Sequence, residues 1–173
     1  MLKKNLNKIL IIVAIVFVLV AVLMLFAPAG IVGEGKGQLS YSGANLTFGY
    51  TKKTQIGDLQ VFKFSFGNFL PYILVLAGIV FAVLALFKKL GNIAPVVAAG
   101  AFLVAGILFF CTVAMCSIGD DVGKIWNIAG SLLNPEYNPK DDIALGIGPI
   151  LAGAFSVVAA IICASSIFFG RKK

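Results

Sequence analysis

Charge is scarce in this chain. Only 12% of its 173 residues are Asp, Glu, Lys or Arg, against roughly 25% in a soluble domain. Histidine is absent altogether, which removes the commonest metal-binding imidazole and any Ser/His/Asp set. There is one tryptophan, and lysine outnumbers arginine thirteen to one. The three cysteines are Cys111, Cys116 and Cys163; residues 28–69 and 119–142 hold none, so no disulfide staples those segments. No P-loop or glycine-rich phosphate cradle follows a strand-like run. No ionisable residue interrupts the long apolar runs, whereas ion-coupled transporters usually keep one at membrane depth. These absences argue against an enzyme, a metalloprotein and an ion-coupled carrier. No cofactor, metal or small-molecule substrate is expected.

What is present is apolar. Hydrophobic residues make up 60% of the chain, the mean hydropathy is +1.03, and the apolar residues gather in four long runs. The fold class expected is an all-α membrane protein: a four-transmembrane-helix bundle with a small extracytoplasmic β-meander and a short amphipathic helix. The first span covers 9–27. Its uncharged run, Ile9 to Phe26, would make about 27 Å of helix, close to the hydrocarbon core. A retained signal-anchor is the reading adopted. A cleaved signal peptide is the rival, because Ala27-Pro28-Ala29 has the A-x-A form. The second span covers 70–87, with Pro71 in its first turn. The third, 93–118, would make about 39 Å of helix and so must tilt or project. The fourth covers 143–169, with a frayed or kinked first turn at Gly146, Gly148 and Pro149.

The net charge of +7 is unevenly placed. Eight of the fourteen basic residues lie beside span ends: Lys3, Lys4, Lys8, Lys88, Lys89, Arg171, Lys172 and Lys173. No acid accompanies them; all seven acids lie in the two remaining loops. This is the positive-inside pattern, not a nucleic-acid stripe. It puts the N-terminus (1–8), the turn 88–92 and the tail 170–173 in the cytoplasm, and loops 28–69 and 119–142 outside. The Lys, Asn, Ile and Phe usage fits an AT-rich genome, so a bacterial plasma membrane is the expected location.

In the first outer loop, Gly30 to Gly37 reads as flexible. Three strand-like runs follow, Gln38–Ser42, Leu46–Thr51 and Leu59–Phe66, with turns at Ser42-Gly43-Ala44-Asn45 and Lys52 to Asp58. Such a meander is marginal alone and needs a surface to rest on: the second loop, the helix ends or a partner. In the second loop, Val122, Ile125, Trp126, Ala129, Leu132 and Leu133 share one helical face, capped by Asp120 or Asp121.

Several patterns carry a functional and a structural reading together. Gly148, Ala152, Ser156, Ala160 and Ala164 recur every fourth residue, a spacing that lets helix backbones approach closely. The seam serves either this chain's own bundle or an oligomer. Helices two and three have shorter versions in Gly78/Ala82, Ala94/Ala98 and Ala101/Ala105. The first span, with only Ala14 and Ala21 among bulky aliphatics, should face lipid most. The cysteines read as small buried hydrophobes. Asp120-Asp121 and Asp141-Asp142 each precede a predicted helix and read as caps, with a cation site including Glu136 as the alternative. Phe62, Phe64 and Phe66 alternate with polar residues as in a half-buried strand. Together with Trp126 they are the candidate contacts for a partner or the membrane interface. Asn45-Leu46-Thr47 matches the N-glycosylation acceptor.

This layout resembles the claudin and peripheral-myelin-protein tetraspans. They have four helices, cytoplasmic termini, a larger β-rich first outer loop, a short cytoplasmic turn and a smaller second loop. The first-loop signature of that family, a W-GLW-C-C pattern, is missing, since residues 28–69 contain neither Trp nor Cys. No functional residue is carried over. The resemblance implies a self-associating or contact-forming membrane protein. The function expected is therefore non-enzymatic: a tetraspan acting through helix packing and outer-loop contacts with another protein or with copies of itself. The alternative is a channel or an accessory subunit of a transporter.

Overall fold

In a computed structural model, the chain is mostly helical with small antiparallel sheets. Residues 2–33, 38–54, 57–87, 90–120, 122–124 and 139–170 are described. The elements in order are α1 (Leu2–Leu23), β1 (Pro28–Val32), β2 (Leu39–Ser42), α2 (Gly43–Phe48), β3 (Tyr50–Thr54), β4 (Gly57–Lys63) and α3 (Phe66–Leu86). Then follow α4 (Ile93–Phe110), α5 (Thr112–Met115), β5 (Ser117–Ile118), β6 (Ile143–Leu145) and α6 (Ile147–Gly170). Packing divides the chain into two compact units. A helical unit gathers Met1–Met24, Leu70–Phe109 and Leu151–Lys173; a sheet unit gathers Leu25–Phe69 and Phe110–Ile150.

Among the described residues, four helices are long and apolar enough to cross a membrane: Asn5–Phe26, Phe66–Leu86, Ile93–Phe110 and Ile147–Ile167. All four contribute to one core, through Ile11, Ala14, Val18 and Ala21 of α1, Val75 and Ala82 of α3, Phe102 and Phe109 of α4, and Ala152, Ala159 and Cys163 of α6. Small residues make room for large ones here. A Cβ added at Gly78 would run into the Phe102 ring, and one at Gly106 would lie 2.8 Å from Val157 and 3.1 Å from the Gly153 carbonyl. The outer faces stay apolar, with Ile12, Val16, Leu76, Val80, Val104, Ile107 and Ile161 all exposed. Only 22% of the apolar window is buried in α1 and in α3, against 39% in α4 and α6. The first helix, expected to be the least covered of the four, is thus matched in exposure by α3.

The predicted third span, 93–118, runs past the end of the helix it names. The α4 helix ends at Phe110 after 18 residues, close to the ~20 that cross a bilayer. Cys111 breaks it, α5 adds one turn, and Ser117–Ile118 become a strand. The reason is a competing partner: Ser117 pairs with Lys63 and Ile118 with Phe62, and the Gly119 N–H donates to the Val61 carbonyl at 2.9 Å. The fourth span also starts later than expected. Ile143–Leu145 form β6, and only at Ile147 does α6 begin. Gly146 is not a frayed helical residue but a link whose N–H donates to the Ala29 carbonyl at 2.9 Å. The second span starts earlier, at Phe66, so Pro71 lies inside α3 and not in its first turn.

The sheet unit is not a meander. Its described residues form two three-stranded antiparallel sheets, ordered β2-β1-β6 and β3-β4-β5. Gly30–Val32, read from the sequence as flexible, lie in the central strand of the first sheet, where Ile31 faces Ser40 on one side and Ala144 on the other. Ser42-Gly43-Ala44-Asn45 is a helix start instead of a turn, because the Ser42 hydroxyl accepts the Asn45 N–H at 3.2 Å as an N-cap does. Gly49 closes α2 with φ +95°, a conformation open to glycine. That helix takes Leu46 to Phe48 out of the predicted second strand. The strand begins instead at Tyr50, and Lys52 and Lys53 pair with Leu59 and Asp58 where a turn was expected. Ala29, Leu46, Val61, Phe62, Cys116, Val122 and Ile143 form this unit's own core.

Candidate interaction surface

The surface is assembled on a polar knot at the start of α3. Ser65, buried, is the N-cap: its hydroxyl oxygen accepts the Asn68 N–H at 3.3 Å and its O–H donates to the Met115 carbonyl at 2.6 Å. Its backbone N–H donates to the Thr47 carbonyl at 2.9 Å. The Asn68 amide nitrogen donates to the Leu46 carbonyl at 3.2 Å. Two side chains thereby bind α2, the first turn of α3 and the end of α5 together, supplying partners that helix ends lack. Gly67 allows the approach, since a Cβ there would lie 3.0 Å from that of Met115.

Around this knot aromatic rings collect on the outside. Phe69 is flanked by Phe48 at 5.9 Å and Phe64 at 5.8 Å between ring centres, spacing typical of tilted aromatic pairs. Phe48 and Phe64 are each 53% exposed and Phe66 63%, so rings of this size project unused apolar area. Phe62 does not join them. It is buried in β4, edge-on to Tyr41 at 5.0 Å. The expected Phe62/Phe64/Phe66 strand face is therefore corrected: β4 ends at Lys63, Phe64 is in the link, and Phe66 opens α3. The alternation that would place all three on one side stops after its first member. Burial and the neighbouring Tyr50 push the Tyr41 hydroxyl pKa up.

A charged contact lies on the same unit. Lys63 pairs with Asp120 at 2.5 Å, both side chains being partly or largely exposed. The hydrogen bond and charge of Lys63 hold the Asp120 carboxyl below its ordinary range. Asp120 is thus engaged with β4 through its side chain. Asp141 and Asp142 sit in a 3-10 turn before β6. No helix begins there, so the expected cap at α6 is not made. Lys140 donates to the Ala114 carbonyl at 2.8 Å. Among the described residues no three His, Cys, Asp or Glu side chains gather as a metal site.

The remaining candidates fall as follows. Gly148, Ala152, Ser156 and Ala160 are buried within the chain and Ala164 is half-buried. Ala152 and Ala160 belong to the helical core. The Ser156 hydroxyl is fully buried with no hydrogen-bond partner among the described residues. Cys116 and Cys163 are buried and free, and burial raises the Cys116 thiol pKa. Cys111, at the break after α4, is exposed, contrary to the buried role expected of it. Asn45-Leu46-Thr47 lies in α2 with Leu46 and Thr47 buried, a poor setting for a glycan acceptor. Asp120 and Val122 to Lys124 are helical and Val122 is buried, matching the start of the amphipathic pattern. Asp121, Ile125, Trp126, Ala129, Leu132, Leu133 and Glu136 lie outside the described residues.

Sequence reasoning overlooked Ser65, Asn68, Phe48 and Phe69. A signal for the first two existed: Ser-x-x-Asn before an apolar run is a capping pattern close to the S/T-x-x-E/Q box. It was hidden by reading Leu59–Phe66 as one strand. No protein-family model matches the chain, and no curated protein matches it.

Proposed function

We propose that the chain is a non-enzymatic tetraspan of the plasma membrane whose outward-facing unit binds another protein. The observation that carries this reading is the construction of the sheet unit. Each of its sheets joins strands from before α3 with one from after α4, and the unit has a core of its own. Loops that only connected helices would need neither. A folded body presenting Phe48, Phe64 and Phe66 around Phe69 is suited to contact work. The small-residue stripe of α6 is consumed inside the chain, which favours the sheet unit over that seam as the contact surface. The cytoplasmic placement of 1–8, 88–92 and 170–173, the bacterial setting and the likeness to claudin-type tetraspans are parts of the same proposal. They are supported by the charge distribution and the layout. A channel gains less support, because Phe102, Phe109, Val18 and Val75 fill the centre of the helical unit.

Crosslinking in native membranes followed by pull-down tests the proposal. The expected result is a discrete adduct with a partner or a second copy, lost when Phe64 and Phe66 are both changed to Ser while the helical content is unchanged. A chain that crosslinks to nothing, or whose adducts survive that double change, would refute it.

A further inference from the structure

The helical unit contains a cavity that its core does not fill. Its volume is about 210 Å³, an order of magnitude beyond the ~10–15 Å³ that admits one water. All four helical segments reach it: Asn7 and Ile11 from α1, Ala85 from α3, Asn92 and Pro95 at the start of α4, and Ser166 from α6. One part of the lining is polar, the other apolar. The Asn7 carbonyl oxygen accepts the Lys8 N–H at 2.9 Å, which leaves its amide nitrogen as the donor. Asn92, just before α4, adds a second side-chain amide to the lining.

Charge adds a second, independent observation. The segments of the helical unit hold eight basic residues and not one acid; all seven acids belong to the segments of the sheet unit. The basic residues are also close in sequence to the cavity lining. Lys8 adjoins Asn7, Lys88 and Lys89 precede Gly91 and Asn92, and Arg171 follows Ile167 by four residues. An anion is the ligand that such a field concentrates. The apolar share of the lining, Ile11, Ala85 and Pro95, and the exposed aliphatic faces of the helices say what else that anion carries. We infer that this cavity holds the phosphate of an anionic glycerophospholipid, with the acyl chains lying along the outside of the bundle. The inference rests on the membrane reading above.

The test reconstitutes the full-length protein in nanodiscs of equimolar phosphatidylglycerol and phosphatidylcholine and counts retained lipids by native mass spectrometry. Retained phosphatidylglycerol should exceed phosphatidylcholine by about tenfold. The preference should vanish in the double variant Asn7→Leu/Asn92→Leu, which leaves the charge unaltered, and in Ala85→Leu, which fills the cavity. Circular dichroism checks that each variant keeps its helices, and Ala85→Leu serves alone if the double variant does not fold. Equal retention of the two lipids would overturn the inference, as would a preference that survives both variants, since surface lysines alone would then explain it. Inorganic phosphate bound in detergent, without any lipid preference, would overturn the lipid source. Release of the chain from membranes by alkaline carbonate would instead sink the membrane reading itself.

Discussion

At the scale of single residues, Ser65 does more than its size suggests. It caps α3 and donates to the Met115 carbonyl, so its removal strips an N-cap and leaves a part-buried acceptor unmade. Ser65→Ala should therefore destabilise the fold by about 1–2 kcal/mol. A denaturant titration in micelles measures this, and Ser65→Thr, which keeps the hydroxyl, should restore most of it. Asp120 provides a pH test. Its folded-state pKa is lowered by Lys63, so its contribution is present above the unfolded carboxylate value, about 3.9, and is lost as pH falls through the folded value. Hydrogen exchange at the β4–β5 pairing should quicken only on acidification below about pH 4, and Asp120→Asn should abolish that dependence. Because the pair is exposed, the effect should be local and weakened by salt.

At the scale of elements, the glycines at the junctions set what can pair. A Cβ at Gly119 would collide with the Gln60 carbonyl, and one at Gly146 with the Pro28 carbonyl. Each sits where a strand from after α4 joins strands from before α3. Gly119→Ala and Gly146→Ala should each loosen the sheet unit and leave the helical unit folded. Limited proteolysis would show cleavage between residues 28 and 69 while a protected helical fragment persists; simultaneous loss of both would contradict two separately packed units. These junctions also mark where the sequence stopped being legible. The four apolar runs were readable because lipid-length hydrophobicity is a property of one segment. The ends of the third and fourth were not, because Cys116 to Ile118 and Ile143 to Leu145 are as apolar as the helices they adjoin. Only their pairing with Phe62 and Ile31, distant in sequence, makes them strands. For the same reason the aromatic surface was half found. Phe64 and Phe66 were seen, but Phe48 was assigned to a strand that Ser42 and Gly49 convert into α2. Phe69 was lost inside a boundary. In α6 the fourfold small-residue spacing was visible, but which partner it meets is a tertiary fact. Since Ala152, Ser156 and Ala160 are buried in this chain, replacing all three with Leu should unfold the bundle, at about 1–3 kcal/mol per overpacked site, and not merely separate subunits.

At the scale of the whole molecule, the partition of charge follows the partition of packing. Residues of the helical unit carry eight positive charges and no negative one, while those of the sheet unit nearly cancel, with six lysines against seven acids. Folding alone does not demand this, because a packed core is indifferent to the sign of charges at its margin. Orientation in a bilayer does demand it: short basic segments stay on the cytoplasmic side during insertion, and acids contribute little. On the proposed topology, an even number of spans returns both termini to that side and leaves the segments that build the two sheets on the other. The arrangement makes a prediction that depends on no partner or ligand. With single cysteines placed at Lys88, Arg171 and Lys52 in a background lacking the three native thiols, an impermeant maleimide applied to intact cells should label only the Lys52 position. In inverted vesicles it should label only the other two. Labelling of Lys88→Cys and Arg171→Cys from opposite sides would require an odd number of crossings between them. One of α4 and α6 would then have to be held by protein instead of lipid.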